Sequence, residues 1–303
     1  MDALNVRENG IYVDATFGRG GHARAIVDRL GPRGKLLALD ADPEAVAHGR
    51  ILFGADARVT LLQCNFRELG AAVPAHAAAA VDGVLMDLGV SSAQLDDSAR
   101  GFGFRASGPL DMRMNPQAGR SAAEWLSDVD ESDLAEVITR FGEERFARRI
   151  ARAIVQAREH GPVDTTSRLA AVVESAVPPG ARHASRIHPA TRTFQAIRIA
   201  VNAELDALER ALAAATDVLA PGGRLAVISF HSLEDRRVKR AIRDASTPPP
   251  ASRRAPAAQR FRARLKRVGG LVRPSEDEAA ANPRARSARM RVAERIADAE
   301  AAP

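Results

Sequence analysis

Residues 10–25 read Gly10-Ile-Tyr-Val-Asp-Ala-Thr-Phe-Gly-Arg-Gly-Gly-His-Ala-Arg-Ala25. The β-branched and aromatic residues at its start predict a strand over 11–15. Gly18, Gly20 and Gly21 then free the backbone for a sharp turn and a close ligand approach, and a helix follows. A loop of this kind after the first strand of a parallel sheet usually holds an anionic or nucleotide ligand. Gly18-x-Gly20-x-x-Ala23 also matches the loose dinucleotide fingerprint, with Asp40 about 20 residues beyond it. The spacing alone accommodates a nicotinamide cofactor, a flavin or the adenosyl group of S-adenosylmethionine. A turn that only lets strand and helix pack is the lesser alternative.

Alternation of strand and helix continues outward from this stretch. Residues 35–40, Lys-Leu-Leu-Ala-Leu-Asp, form a short apolar run ending in a carboxylate, as expected of a buried parallel strand. Asp42-Pro43-Glu44 supplies a cap, a proline and an acid for the helix that follows. Third and fourth strands are expected over 58–63 and 81–88. Strands separated by helices imply right-handed crossovers and a doubly wound, Rossmann-like α/β sheet. Ligands of such sheets bind beyond the carboxyl ends of the strands, where Asp14, Asp40 and Asp87 fall.

From about residue 121 to 177 the pattern is helical only. Phe146, Ile150 and Ile154 mark one buried face. Arg145, Arg148, Arg149 and Arg152, at helical offsets, mark a second face. Thr165 to Ser167 can cap a further helix. This block reads as a helical insertion at 106–200, with the α/β core at 1–105 and 201–303. A long helix is expected next, with Phe194, Ile197, Val201, Leu205, Leu208 and Leu212 on one face. Strand signals resume at 224–230 and again at 287–293. Between them lie Arg236, Arg237, Lys239, Arg240 and Arg243. Prolines 248–250 announce a long loop, and Arg260, Arg262, Arg264, Lys266 and Arg267 add another basic cluster.

With 303 residues and 46% hydrophobic content, the chain can bury a sizeable core. Its single cysteine, Cys64, leaves no internal disulfide and fits a reducing cytosol. The first residues carry acids and no apolar core, unlike a signal peptide. No run of about 18 strongly apolar residues occurs, so a soluble cytoplasmic protein is expected. The net charge of +6 points to a polyanionic partner, although with only Lys35, Lys239 and Lys266 as lysines the arginine excess also fits coding-DNA composition. No Cys/His cluster has metal-ligand spacing, and no Gly-x-Ser-x-Gly elbow is present.

Asp40 is suited to accept hydrogen bonds from a ribose, which both NAD and S-adenosylmethionine possess. Asp14 discriminates between them. Just before the loop it would repel a diphosphate, whereas the ammonium and sulfonium of S-adenosylmethionine tolerate a carboxylate. Asp87-Leu-Gly-Val-Ser91-Ser92, with Gln94 beyond, offers polar acceptors for a substrate amine or hydroxyl, or else ordinary turn chemistry. His22 and His231 are candidate proton acceptors or substrate-orienting groups.

Several long motifs bear on the choice. Residues 12–22 (Tyr-Val-Asp-Ala-Thr-Phe-Gly-Arg-Gly-Gly-His), 86–92 (Met-Asp-Leu-Gly-Val-Ser-Ser) with 94–97, and 108–114 (Gly-Pro-Leu-Asp-Met-Arg-Met) are the first three. Residues 142–147 (Gly-Glu-Glu-Arg-Phe-Ala), 188–195 (His-Pro-Ala-Thr-Arg-Thr-Phe-Gln), 228–236 (Ile-Ser-Phe-His-Ser-Leu-Glu-Asp-Arg) and 282–286 (Asn-Pro-Arg-Ala-Arg) complete the set. In this order, over nearly the whole chain, they resemble the bacterial 16S rRNA cytosine-N4 methyltransferases. The resemblance implies a class I methyltransferase fold with a helical insert for RNA recognition, and S-adenosylmethionine as cofactor. It implies as substrate one cytosine of the decoding centre, near the P site, within 16S rRNA of the small ribosomal subunit.

Carried over by motif, the cofactor contacts fall on Gly20, Gly21, His22, Asp40, Phe66, Asp87 and Gln94. Catalytic roles are expected among Asp87, Ser91 and His231, and phosphate contacts among Arg145, Arg148, Arg149, Arg152, Arg192, Arg236 and Arg237. The family usually begins with a His-x-Pro-Val-Leu-Leu segment that does not precede the first strand here, and Ala15 stands where glycine is common. The Pro-Pro-Tyr signature of DNA amino-methyltransferases is absent. Two other readings remain: a nicotinamide-dependent oxidoreductase on the same loop, and an RNA-binding module with an inactive cofactor pocket.

Overall fold

The computed structural model describes residues 1–77, 79–184, 187–248 and 261–297. The apolar runs form a seven-stranded sheet in the order β3-β2-β1-β4-β5-β7-β6. Its strands are β1 (Ile11–Asp14), β2 (Lys35–Asp40), β3 (Val59–Gln63), β4 (Val81–Asp87), β5 (Leu219–Ser229), β6 (Leu265–Arg267) and β7 (Arg289–Arg295). The first five are parallel; β7 runs antiparallel to both neighbours. This is the doubly wound sheet expected of a class I methyltransferase.

Strand periodicity sends alternate residues into two cores. Val13, Leu37, Leu39, Val84, Met86 and Val227 meet α3 (Leu69–His76), α11 (Glu204–Val218) and α12 (Ser232–Ser246) through Leu69, Leu208, Leu212 and Val238. Tyr12, Leu36, Ala38, Leu85 and Ala226 point the other way. They cluster with Ala23 and Ile26 of α1 (Gly21–Val27) and Ala45 of α2 (Pro43–Phe53). Ala15 belongs to the first core, so a side chain is accommodated there. The helix after β2 begins as its sequence dictates: Asp42 caps it, accepting the Glu44 N–H at 3.0 Å.

The chain divides into two compact units, residues 1–89 with 205–303, and residues 90–204. The second is helical: α4 (Ser92–Asp96), α5 (Ala122–Asp128), α6 (Glu131–Gly142), α7 (Ala147–Glu159), α8 (Thr166–Ala176), α9 (Pro179–Ala184) and α10 (Ala190–Asn202). Its own core gathers Leu134 and Ile138 of α6, Ile150 and Ile154 of α7, Leu169 and Val173 of α8, and Phe194 and Ile197 of α10. Thr165 caps α8.

Three expectations are corrected. The single long helix is two helices, because Ala203 takes the left-handed conformation at φ 48° and ends α10. The apolar face that reads as continuous is thereby shared, Phe194 and Ile197 serving the helical core and Leu208 and Leu212 the sheet. The basic stretch near residue 265 is no loop throughout, since Leu265 is buried and Leu265–Arg267 pairs with β7 as an edge strand. A short helix, α13 (Glu276–Ala281), capped by Ser275, also lies where no element was expected. The loop signal at residues 249 and 250, and Arg260, lie outside the described residues. Among the described residues no helix is long and apolar enough to cross a membrane.

Candidate active site

Asp14, Asp40 and Asp87 are the last residues of β1, β2 and β4, three adjacent or near-adjacent strands. Backbone bonds lace the glycine loop to them. The Gly18 N–H donates to Asp40 Oδ2 at 2.7 Å, and the Phe17 N–H to the Leu39 carbonyl at 2.9 Å. Asp40 Oδ1 accepts the Asp42 N–H at 2.8 Å, so this carboxylate already shapes the loop and the entry to α2. Gly20 sits at φ +77°, and a Cβ there would meet the side chains of Leu52 at 2.7 Å and Phe17 at 2.8 Å. Gly21 is different: a Cβ would meet no atom within 4 Å. Its space lies open to a ligand.

Thr16, which the sequence reading passed over, ties the loop to β4. Its hydroxyl accepts the Asp87 N–H at 2.6 Å, and its own N–H donates to Asp14 Oδ1 at 3.2 Å. A hydroxyl residue between a strand-end acid and a glycine loop was the available signal. His22, second in α1, places Nε2 3.4 Å from Asp87 Oδ2.

The electrostatics of this group are unusual. Asp14 is fully buried, and its Oδ2 has no hydrogen-bond partner; nor has Asp87 Oδ1. Burial pushes the Asp14 carboxyl up to about 7, with the His22 imidazole and the Thr16 N–H pulling the other way. The hydrogen bond that the His22 imidazole donates to Asp87 raises His22 above its ordinary value, against the opposing effect of burial. Two carboxylates thus present unpartnered oxygens to positive charge, beside an imidazole that shares a proton with one of them.

The other expected residues are placed as follows. Phe66 opens a short 3-10 turn after β3 and packs against the sheet core. Ser91 and Gln94 belong to the helical unit. There they form a capping box: the Ser91 hydroxyl accepts the Gln94 N–H at 3.2 Å, and the Gln94 side chain accepts the Ser91 N–H at 2.9 Å. His231 caps α12, Nδ1 accepting the Glu234 N–H at 3.4 Å. Its Nε2 lies 3.1 Å from Glu234 Oε1 but outside hydrogen-bonding geometry.

The arginines are dispersed. Arg145 precedes α7 and lies over the Phe146 ring at 4.5 Å; Arg148 and Arg149 are exposed on the helix. Arg152 is 3.4 Å from Glu131, and Arg192 donates to the Glu143 carbonyl at 3.1 Å. Arg236 is exposed on α12, and Arg237 pairs with Glu209 at 3.0 Å.

A strand-end acid, a glycine loop and further acids on neighbouring strands invite comparison with known proteins. The model of the MraW methylase family matches residues 1–296. The chain belongs to that family. This methyltransferase is 54% identical over 296 residues to the ribosomal RNA small subunit methyltransferase H of Xanthomonas axonopodis pv. citri (strain 306), covering 98% of this chain and 85% of the relative. It is 52% identical over 301 residues to the protein of the same name in Stenotrophomonas maltophilia (strain K279a), covering 99% and 92%. An rRNA methylase structure from Streptococcus thermophilus aligns over 98% of this chain and 93% of that one, with 11% identity and a TM-score of 0.43.

Proposed function

We propose that this methyltransferase uses S-adenosylmethionine to methylate the exocyclic N4 amine of one cytosine in the decoding centre of 16S rRNA, with the small ribosomal subunit as substrate. Methyl transfer to small-subunit ribosomal RNA is supported by the relatives at 54% and 52% identity, which carry that activity in their names. The base, the atom and the P-site position rest on the motif resemblance. Such a substrate goes with a cytoplasmic enzyme.

The observation that carries the cofactor assignment is the pair of buried, unpartnered oxygens, Asp14 Oδ2 and Asp87 Oδ1. A dinucleotide would set its diphosphate against them. At close range and in low dielectric, like charges cost several kcal/mol on the order of magnitude. The ammonium and sulfonium of S-adenosylmethionine complement them instead. The open space at Gly21 suits the approach of its methionine end, and Asp40 and Phe66 its ribose and adenine. When bound, the cofactor supplies a methyl group on a positively charged sulfur.

This chain's part is then to place an amine in line with that methyl group. The cytosine amine is a weak nucleophile because its lone pair is conjugated with the ring. An acceptor that fixes one N–H turns the amine toward its target, and such positioning is a large share of catalysis. Asp87, held by the Thr16 hydroxyl and His22, is the first candidate, with Ser91 and His231 as the others. The base is proposed to leave its stack, and arginines of the helical unit and of α12 to hold phosphates. Gln94 is proposed for the cofactor on the resemblance.

Calorimetric titration tests the cofactor assignment. S-adenosylhomocysteine is expected to bind in the micromolar range with one site per chain, and NAD to show no saturable heat. Saturable NAD binding without S-adenosylhomocysteine binding would return the loop to an oxidoreductase.

A further inference from the structure

The arginines singled out by sequence leave a more concentrated basic site unnamed. Where β7 begins against the end of β5, Phe230, His231, Ser232, Arg273, Arg286, Ser287, Ala288 and Arg289 line a pocket of ≈ 160 Å³. Three separate segments build it. Arg273 is carried next to Val272, whose backbone pairs with Met290 in both directions at 2.9 and 3.0 Å. Arg286 rides on the 3-10 turn Pro283–Ser287, which Asn282 caps. Arg289 opens β7, in register with Ser229, whose hydroxyl donates to the Arg289 carbonyl at 3.2 Å.

The charges do not cancel. Asp235 takes hydrogen bonds from Arg289 at 3.2 Å and from Arg291 at 2.7 Å, so one buried carboxylate faces two guanidinium groups. Glu234 is occupied with the N–H groups of Phe230 and His231 at the start of α12. Among the described residues, Arg273 and Arg286 pair with no carboxylate, and both are exposed. Three arginines and no carboxylate line the pocket, and among the described residues only Arg289 of the three pairs with an acid, which favours an anion.

Its place in the sheet suggests which anion. Ile228 of β5 pairs with Asp87 of β4, and Phe230 lies two residues further on. The pocket thus opens at the carboxyl edge of the sheet, one strand beyond the proposed amine-holding carboxylate. Adjacent strands are ~4.8 Å apart and two residues span ~7 Å, a separation of the order of one nucleotide. Guanidinium groups beside an aromatic ring are also the usual equipment for a single-stranded nucleotide.

We propose that Arg273, Arg286 and Arg289 form a phosphate subsite that grips the RNA backbone beside the methylated base. The ligand class rests on the reading of RNA as substrate. The subsite adds a contact made by the sheet unit itself.

The test pairs Arg273→Gln/Arg286→Gln with a distant control of equal charge, Arg50→Gln/Arg210→Gln. Each protein is measured for methylation of undermethylated small subunits, binding of a short single-stranded RNA over a salt series, and S-adenosylhomocysteine affinity. The pocket pair is expected to raise KM and weaken RNA about tenfold, as loss of charged hydrogen bonds predicts. Its log K against log salt slope should fall by ~0.7, one phosphate's worth, with the distant pair changing far less. Cofactor affinity and Tm should hold. Arg273→Lys/Arg286→Lys, which keeps the charge, should recover part of the RNA binding.

Unchanged KM and slope in the pocket pair, or an equal loss in the distant pair, would overturn the subsite. So would tight inorganic phosphate binding that the pocket pair loses while RNA binding stays intact. If the parent methylates no RNA nucleoside, the functional reading fails, and RNA binding by the two double variants still decides the pocket.

Discussion

His22 Nε2 lies 3.4 Å from Asp87 Oδ2, which joins the start of α1 to the end of β4 at the edge where Asp14 is buried without a partner for Oδ2. The contact leaves Asp87 Oδ1 open. It also makes the site a reservoir of protons, because burial raises Asp14 to about 7 and the Asp87 hydrogen bond raises His22.

Cofactor binding should therefore release protons. A cationic ligand favours ionised Asp14 and neutral His22, and both changes expel a proton. The affinity for S-adenosylmethionine should rise as pH climbs through about 7, the value at which Asp14 ionises. Calorimetry near neutral pH in two buffers of unlike ionisation heat reads the count directly. Asp14→Asn should reduce it; equal heats in both buffers for the parent would count against the charged site.

Asp14 should also cost stability at high pH. Its folded value lies above its unfolded value of 3.8, so nothing is lost below about pH 4. The penalty then grows with pH and is complete above about 7. Asp14→Asn removes it while keeping an acceptor for the Thr16 N–H. The variant should be more stable than the parent by roughly 2–4 kcal/mol at pH 8 and about equal to it at pH 4. Denaturant melts at the two pH values check the sign.

Two neighbouring glycines should part company. Gly20→Ala meets both a left-handed backbone and the Leu52 and Phe17 side chains, and should lose ~1–3 kcal/mol. Gly21→Ala meets empty space in the protein, so Tm should hold or rise slightly. Its Cβ would instead stand where the ligand comes close, and S-adenosylhomocysteine should bind about tenfold more weakly. Equal Tm losses in the two variants would mean that the second glycine is only structural.

The join after α10 offers a backbone test. Ala203 holds φ 48°, where L-residues are strained by roughly 1–2 kcal/mol. Ala203→Gly should be neutral or gain about 0.5 kcal/mol, and Ala203→Val should lose about 1–2 kcal/mol. Denaturant midpoints of the two variants would read this.

Sequence made the sheet legible because buried parallel strands are apolar runs, and β2 and β4 end in Asp40 and Asp87, acids that the fold puts at the ligand edge. The α7 face was legible for a similar reason, as Ile150 and Ile154 repeat at helical spacing and are both fully buried. Ala203 was hidden because apolar spacing runs across it unbroken, and only the backbone shows which core each residue joins. The helical block reads as 106–200 from its periodicity, and the compact helical unit spans 90–204, with a serine cap opening α4. Leu265 was masked by the arginines around it. Sequence showed Arg286 and His231 in two separate motifs but not that they share a pocket, since Arg273 and Arg286 meet His231 only through the pairing of β7 with β5.

The most direct measurement is methyl transfer from labelled S-adenosylmethionine to undermethylated small subunits, followed by nucleoside analysis, with Asp87→Asn beside the parent. The account predicts label in N4-methylcytidine of 16S rRNA at one position. Asp87→Asn should lower kcat on the order of 10²-fold, the usual contribution of a positioned acceptor, with S-adenosylhomocysteine affinity falling much less. Label in a different nucleoside or in protein, or full activity in Asp87→Asn, would contradict it.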